Sequence, residues 1–413
     1  MGEGLLSGFR TLDLTDEKGF VSGKILAAMG SDVIKIERPG GDPSRSIPPY
    51  YGGTPDTKKS LYWLMYNTDK RGITLNIETK RGQTLFKDLI KGCDFVLESF
   101  TPGYLNDLGL GYETLNRWNK RIIMTSITPF GQKGPYSAYK GNELILSAMS
   151  GVLLSVGFED RPPVKEGLEA NYFHANGAAA LGTMMAHYDR ESTGEGQQLD
   201  VSIQEVGVSR NTNNILPYFY DKRLIKRSGQ SRRLGLNSHK WIWRVKDGDI
   251  FWSMMPGKVG APANRALSKW IDDDGLENPL GEVKEWEKLD REWLNQEKRA
   301  VWERAIGRFF LNHTKKEIAE EGRRRGINAA VANTPEDVVA SPQLRARNYW
   351  TTLDHFEPGL KMEYPKHFFL CSETENMVTR RAPLIGENNQ EIFGKELGLP
   401  DSEIEFLMNK NVI

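Results

Sequence analysis

The stretch FRTLDLTDEKGFVSGKILAAMGSDVIKIERP, residues 9–39, decides the fold. FRTLDL (9–14) reads as a short strand. SGKILAAMG (22–30) carries apolar residues at helical spacing and ends in glycine, which reads as a helix with its C-terminal stop. DVIKIERP (32–39) is a second strand, closed by a proline. Strand, helix and strand in that order make a β-α-β unit, and such a unit calls for a parallel sheet. No GxGxxG follows the first strand, so the nicotinamide-dinucleotide version of this fold is not supported.

The same texture recurs downstream: GITLNI (72–77) as a strand, RGQTLFKDLIKGC (81–93) as a helix, then DFVLESF (94–100) and RIIMTSITPFG (121–131) as strands. GNELILSAMSGVLLSVG (141–157) is apolar on more than one face and reads as a buried helix. NGAAALGTMMAHYDRES (176–192) is another, TGEGQ (193–197) is a glycine turn, and QLDVSIQEVGV (198–208) alternates like a strand. After about residue 215 the chain becomes richer in Arg, Lys and Trp. There WIWRVKDGDIFWSMM (241–255) reads as a β-hairpin around Asp247-Gly248, and two amphipathic helical stretches follow near 259–275 and 297–325. Residues 222–350 therefore read as a second domain, and the tail 382–407 as a loop with short helices.

At 413 residues the chain is too long for one ordinary core, and two domains are expected. Hydrophobic residues at 38% and charged residues at 27% fit a soluble globular protein. Lys+Arg and Asp+Glu are both 55, so no whole-chain charge points to nucleic acid or a membrane surface. No apolar run is long enough to span a bilayer, and MGEGLLSGFR has no signal-peptide pattern. Cys93 and Cys371 alone make no disulfide framework, so a reducing cytoplasm is the simpler expectation. Cys93 reads as an inert core thiol. The six histidines and two cysteines show no metal-ligand spacing, and no metal is expected.

Chemistry-bearing residues are few. RLIKRSGQSRR (223–233) and RRRG (323–326) read as solvated basic faces, with phosphate binding as the alternative. Lys35 and Arg38 stand at the end of a strand, where open α/β sheets hold ligands. Glu166 and Glu169 read as loop carboxylates just before the small-residue stretch NYFHANGAAALG (171–182).

Six segments, taken together and in order, resemble the family III CoA-transferases: GSDVIKIERPGGDPSR (30–45), NTDKRGITLNI (67–77), ESFTPGYLNDLGLGYETL (98–115), SITPFGQKGPYS (126–137), DRESTGEGQQLDVSIQE (189–205) and APLIGENN (382–389). The resemblance implies an α/β architecture. Its large Rossmann-like domain with a parallel sheet is made from both termini (1–221 and 351–413), and its smaller α+β domain from the middle (222–350). It also implies two chains interlocked in a dimer. CoA or acyl-CoA would be a substrate, with no covalently held cofactor, and a carboxylic acid would be the acceptor. In such enzymes an aspartate attacks the acyl-CoA thioester, giving a mixed anhydride and CoA thiolate. The thiolate then attacks the anhydride and leaves an enzyme-bound CoA thioester, from which the acceptor acid takes the CoA. The resemblance assigns CoA contacts to Arg38, Lys70, Phe100 and Lys140.

The family's nucleophile, an aspartate about 22 residues before the TGxGQ turn, corresponds here to Asn171. A carboxamide is a far poorer nucleophile than a carboxylate. The loop after the first strand, TDEKGF (15–20), is acidic where relatives often carry glutamine. Asp107 stands where an arginine often meets the CoA phosphates, and an acid there repels a diphosphate. The glycine-rich covering loop is reduced to SGQSRRLGLN (228–237). Three readings stay open. The chain is the non-catalytic partner of a homologous subunit that carries the aspartate, or an active homodimer using Glu169 or Glu166, or a CoA-binding scaffold.

Overall fold

The computed structural model describes residues 4–234, 237–289, 296–357, 359–375 and 377–413. The chain divides into two compact units. The first runs to Val152 and resumes over Glu166–Asn213 and Pro342–Ile413; the second comprises Leu153–Lys165 and Asn214–Ser341. The middle domain expected at 222–350 overlaps the second unit without sharing its bounds.

The first unit is built on six parallel strands: β1 (Arg10–Leu14), β2 (Asp32–Glu37), β3 (Arg71–Thr74), β4 (Phe95–Glu98), β5 (Ile123–Thr128) and β6 (Gln198–Ser202). They lie in the order β3-β2-β1-β4-β5-β6, the doubly wound arrangement. The order reverses between β1 and β4, which pair from Thr11↔Phe95 to Leu14↔Glu98. β1 to β5 are nearly continuous runs of buried residues because helices cover both faces. Leu12, Ile34, Ile73 and Val96 pack against Leu85, Phe86 and Leu89 of α3 (Lys80–Lys91) and against Ile392 and Phe393 near the C-terminus. On the other face, Val33 and Leu97 meet Leu26 of α1 (Phe20–Ala28) and Ala180 of α8 (Ala170–Thr193). Three shorter helices fill out the sheet's flanks: α2 (Leu61–Tyr66), α4 (Tyr104–Asp107) and α5 (Tyr112–Trp118). Cys93 is buried, its thiol donates to the Phe95 carbonyl at 3.0 Å, and burial pushes it up to about 12.

Several elements differ from the sequence expectation. The helix expected over 141–157 is broken at Gly151, whose φ of +79° no ordinary helical residue adopts, into α6 (Glu143–Met149) and α7 (Val152–Ser155). The helix expected from 176 starts at Ala170, so Asn171 lies in its first turn and not in a loop. The strand expected over 198–208 stops at Ser202, whose hydroxyl accepts from the Glu205 amide and caps α9 (Ile203–Arg210). Ser202-x-x-Glu205 is a helix-start signal that outweighs the alternation.

The second unit holds most of α10 (Thr212–Asp221) and the antiparallel pair β7 (Ser231–Leu234) and β8 (Asn237–Lys240). The reduced glycine-rich loop expected at 228–237 falls partly outside the described residues. β9 (Ile242–Val245) and β10 (Gly248–Trp252) form the expected hairpin, joined on the far side of β10 by β11 (Ala329–Val331). Trp243, Trp252, Trp270, Trp286 and Trp302 are all buried in its core with α11 (Gly257–Asp273) and α12 (Gln296–Leu311). The expected stretch 297–325 is two helices. Thr314 ends the run and opens α13 (Lys315–Arg325) with a capping box to Glu317.

Candidate functional site

The carboxyl ends of the strands open into a cavity of about 530 Å³. Its walls come from the loops after β1 to β5, and it sits across the β1/β4 reversal, where open α/β sheets place their ligands. The volume lies in the range of small-molecule sites. Two loops are clasped at the reversal: the Asp16 amide donates to Ser99 Oγ at 2.8 Å, and Ser99 Oγ donates to Asp16 Oδ1 at 2.7 Å.

Of the expected CoA contacts, Arg38, Phe100 and Lys140 are brought together in this cleft. Arg38 is exposed and donates to Glu78 Oε1 at 3.0 Å. Tyr104 donates to the same oxygen at 2.7 Å and tilts against Phe100, ring centroids 4.8 Å apart. Lys140 stands exposed on the rim beside Tyr139, which packs on Tyr136 at 5.2 Å. Glu37 lines the floor, but its charge is met by a bidentate pair with buried Arg45, both contacts 2.7 Å. Lys70 is not part of the cleft. Its ammonium is fully buried, 2.7 Å from Asp13, and also donates to the Phe20 carbonyl and Asn67 Oδ1. Burial pulls it down to about 8. Asp107 is exposed and does not line the cleft.

Asn171 does not line the cleft and is fully buried. Its Nδ2 donates to Glu143 Oε1 at 2.8 Å and to Ser147 Oγ at 2.9 Å. The same Glu143 carboxylate accepts from the backbone amides of Asn171 (3.0 Å) and Tyr172 (3.3 Å). A carboxylate from α6 thus caps α8, satisfying two of the N–H groups that any helix start leaves free. Burial pushes Glu143 above its ordinary value, against these three N–H donors and the Ser147 hydroxyl, which donates to Oε1 at 3.3 Å. Gly207 of α9 closes the pocket: a Cβ there would lie 2.9 Å from Asn171 Oδ1.

One helical turn on, Asn176 ties α8 to the loop after β1. Its Oδ1 accepts from the Ser22 amide at 2.7 Å, and its Nδ2 donates to the Lys18 carbonyl at 2.7 Å. The Tyr172 hydroxyl lies within reach of both Glu143 and the acidic loop. Burial, then Glu17 and Asp16, push that hydroxyl well above its ordinary value. Glu17, a cleft residue, is itself raised by burial and by Asp16. Of the alternative acids, Glu166 is ion-paired with Arg210 at 2.7 Å. Glu169 occupies the N-cap position of α8 and faces Tyr62 and Tyr66, whose hydroxyls burial and then Glu169 raise. Neither acid lines the cleft. Glu143 and Tyr172 were not singled out from the sequence. The available signal was a lone carboxylate opening the otherwise apolar helix GNELILSAMSG.

Comparisons with known proteins agree on one relationship. A family model described as CoA-transferase family III matches residues 6–389. The chain is similar to the succinyl-CoA:(R)-benzylsuccinate CoA-transferase subunit BbsE of Thauera aromatica, 33% identical over 98% of both chains. It is also similar to the succinyl-CoA–D-citramalate CoA-transferase of Chloroflexus aurantiacus, 30% identical over 95% of this chain and 93% of that one. Among solved structures it matches a CAIB/BAIF family protein from Brucella suis with a TM-score of 0.82, at 24% identity, over 96% of this chain and 100% of that one. That likeness concerns the fold.

Proposed function

The chain belongs to CoA-transferase family III, and from that premise we propose that it is the non-catalytic subunit of a heteromeric acyl-CoA:carboxylic acid CoA-transferase. The donor is succinyl-CoA and the acceptor (R)-benzylsuccinate, as in anaerobic toluene breakdown. The substrate pair follows the relative from Thauera aromatica; the role follows from Asn171. Its partner is a homologous subunit that carries the aspartate.

The observation that carries this reading is the surroundings of Asn171. The pocket serves the amide nitrogen: Nδ2 has two acceptors, the nearer a carboxylate at 2.8 Å, while Oδ1 is buried without a hydrogen-bond partner. An aspartate in the same rotamer would set two carboxylates against each other, and one of them would have to hold a proton. Glu143, already raised by burial, would share that proton with the aspartate. Groups lining the cleft support a CoA-binding reading. Arg38 and Lys140 suit phosphates, and the lining rings Phe100, Tyr104 and Tyr139 suit a base. On α8, Leu181, Met185 and Tyr188 form an exposed apolar stripe at helical spacing, 63%, 65% and 82% exposed, which suits burial against a partner.

The homodimer reading through Glu166 or Glu169 is disfavoured by the Arg210 ion pair of the first and the tyrosine-facing N-cap position of the second. The test is CoA transfer from succinyl-CoA to (R)-benzylsuccinate by this chain alone and with an aspartate-bearing homologous subunit. Activity only in the mixture supports the proposal. Turnover by the chain alone overturns it. CoA binding without turnover in either case selects the scaffold reading.

A further inference from the structure

A second cavity, of about 290 Å³, lies in the same unit, separate from the cleft. Its walls are mostly apolar and aromatic: Tyr66, Phe173, Tyr349 and the half-exposed Phe368, with Phe173 and Tyr66 in edge contact at 5.4 Å. Two nitrogens interrupt this lining. Lys24, on the sheet-facing helix α1, is 4% exposed, and its ammonium donates to the Met65 carbonyl at 2.6 Å. His367 is 8% exposed, is held edge-on against Tyr349 at 5.5 Å, and its buried Nε2 has no hydrogen-bond partner.

Both features are costly without a ligand. The buried Lys24 ammonium, with the Met65 carbonyl as hydrogen-bond acceptor and the Asp69 carboxylate near enough to favour its charge, has donor capacity left over. A buried ring nitrogen without a partner forfeits its hydration for nothing. An anion entering between them would receive a charge-assisted bond from Lys24 and a hydrogen bond from His367. The aromatic walls would then take an apolar body behind the anionic head. The cavity is too small for CoA and suits a single ring on a short chain.

We propose that this cavity is a binding site for a small carboxylic acid with an apolar, ring-bearing body, its carboxylate held by Lys24 and His367. The site is separate from the CoA cleft, and the proposal does not rest on the CoA-transfer reading. Burial pulls the Lys24 amine down to about 8, so it still carries its charge at neutral pH to meet a carboxylate.

The probe is 3-phenylpropionate, titrated calorimetrically into the full 413-residue chain, beside its uncharged amide. The acid is expected to bind with a Kd on the order of 1 mM or tighter. The amide and the Lys24→Met variant are each expected to bind at least about tenfold more weakly. Saturating CoA should leave the affinity unchanged. Equal binding of acid and amide overturns the proposal, as does absence of binding. Displacement by CoA also overturns it, because the acid would then be in the cleft. Should Lys24→Met fail to fold, His367→Phe and the amide comparison decide: an unchanged acid affinity in His367→Phe, or acid and amide binding alike, would sink the idea.

Discussion

Asn171 has its carboxamide nitrogen on Glu143 and Ser147 and its own amide on the same Glu143. Asn171→Asp replaces a donor with an acceptor at 2.8 Å from a carboxylate. The pair must then share a proton, so the folded state holds one that the unfolded chain releases near its ordinary carboxyl range. Stability is present below that range and is lost as pH rises through the raised value. The variant should therefore be weaker than wild type by about 3 kcal/mol at pH 8 and closer to it at pH 5. Urea denaturation at the two values measures this, and equal stability at pH 8 would refute the carboxylate clash. Its transferase activity should not exceed wild type; a gain would show that the surrounding cleft is competent once it has an acid. Glu98 offers a second pH signature. It sits at the end of β4, its Oε2 accepting from the Phe100 amide at 2.7 Å, and burial pushes it up to about 7. The folded protein holds this proton between about 4.5 and 7 while the unfolded chain does not, so stability falls as pH rises through that window. The loss is on the order of 3 kcal/mol. Glu98→Gln keeps an acceptor and removes the titration, and should flatten the stability curve between pH 5 and 7.5. A curve that still falls with wild-type slope would assign the proton elsewhere.

At the scale of elements, α6, α8 and α9 approach closely because small residues face one another. Gly207 is a close point: a Cβ would stand 2.8 Å from Ser150 Cβ and 2.9 Å from Asn171 Oδ1, both closer than real contacts allow. Gly207→Ala should gain helix propensity within α9 and lose more to the forced separation, for a net destabilisation of about 1–3 kcal/mol. Gly177, on α8 with no atom in the way of a Cβ, is the control, and alanine there should be neutral or stabilising. Equal melting temperatures for the two variants would mean that the helices separate without cost. The elements also show why parts of the sequence misled. The start of α8 carries no cap of its own, since Glu169 makes no side-chain cap bond. The capping carboxylate comes from Glu143, a different helix, and no local pattern records it. The end of β6 was legible in principle, because Ser202 and Glu205 write a helix start inside the alternating run.

At the scale of the whole molecule, the exposed apolar residues of α8 favour association. On the proposed reading the chain alone should be poorly soluble or form inactive homodimers, and should become well behaved on co-expression with its aspartate-bearing partner. Size-exclusion chromatography with light scattering tests this; a stable, active lone chain would refute it. The sequence by itself determined the alternation of strand and helix in 9–39, hence the parallel sheet, because period and punctuation are local properties. The family resemblance in the sequence pointed to Arg38, Phe100 and Lys140, and these three line one strand-end cleft. Only the tertiary structure decided that Lys70 is a buried partner of Asp13, that Glu143 caps α8 at Asn171, and that Lys24 and His367 line one apolar cavity. Lys70 and Asp13 are 57 residues apart, and Glu143 and Asn171 28. Charges this deeply buried are held by partners that the fold brings from a distance, so spacing along the chain cannot name them.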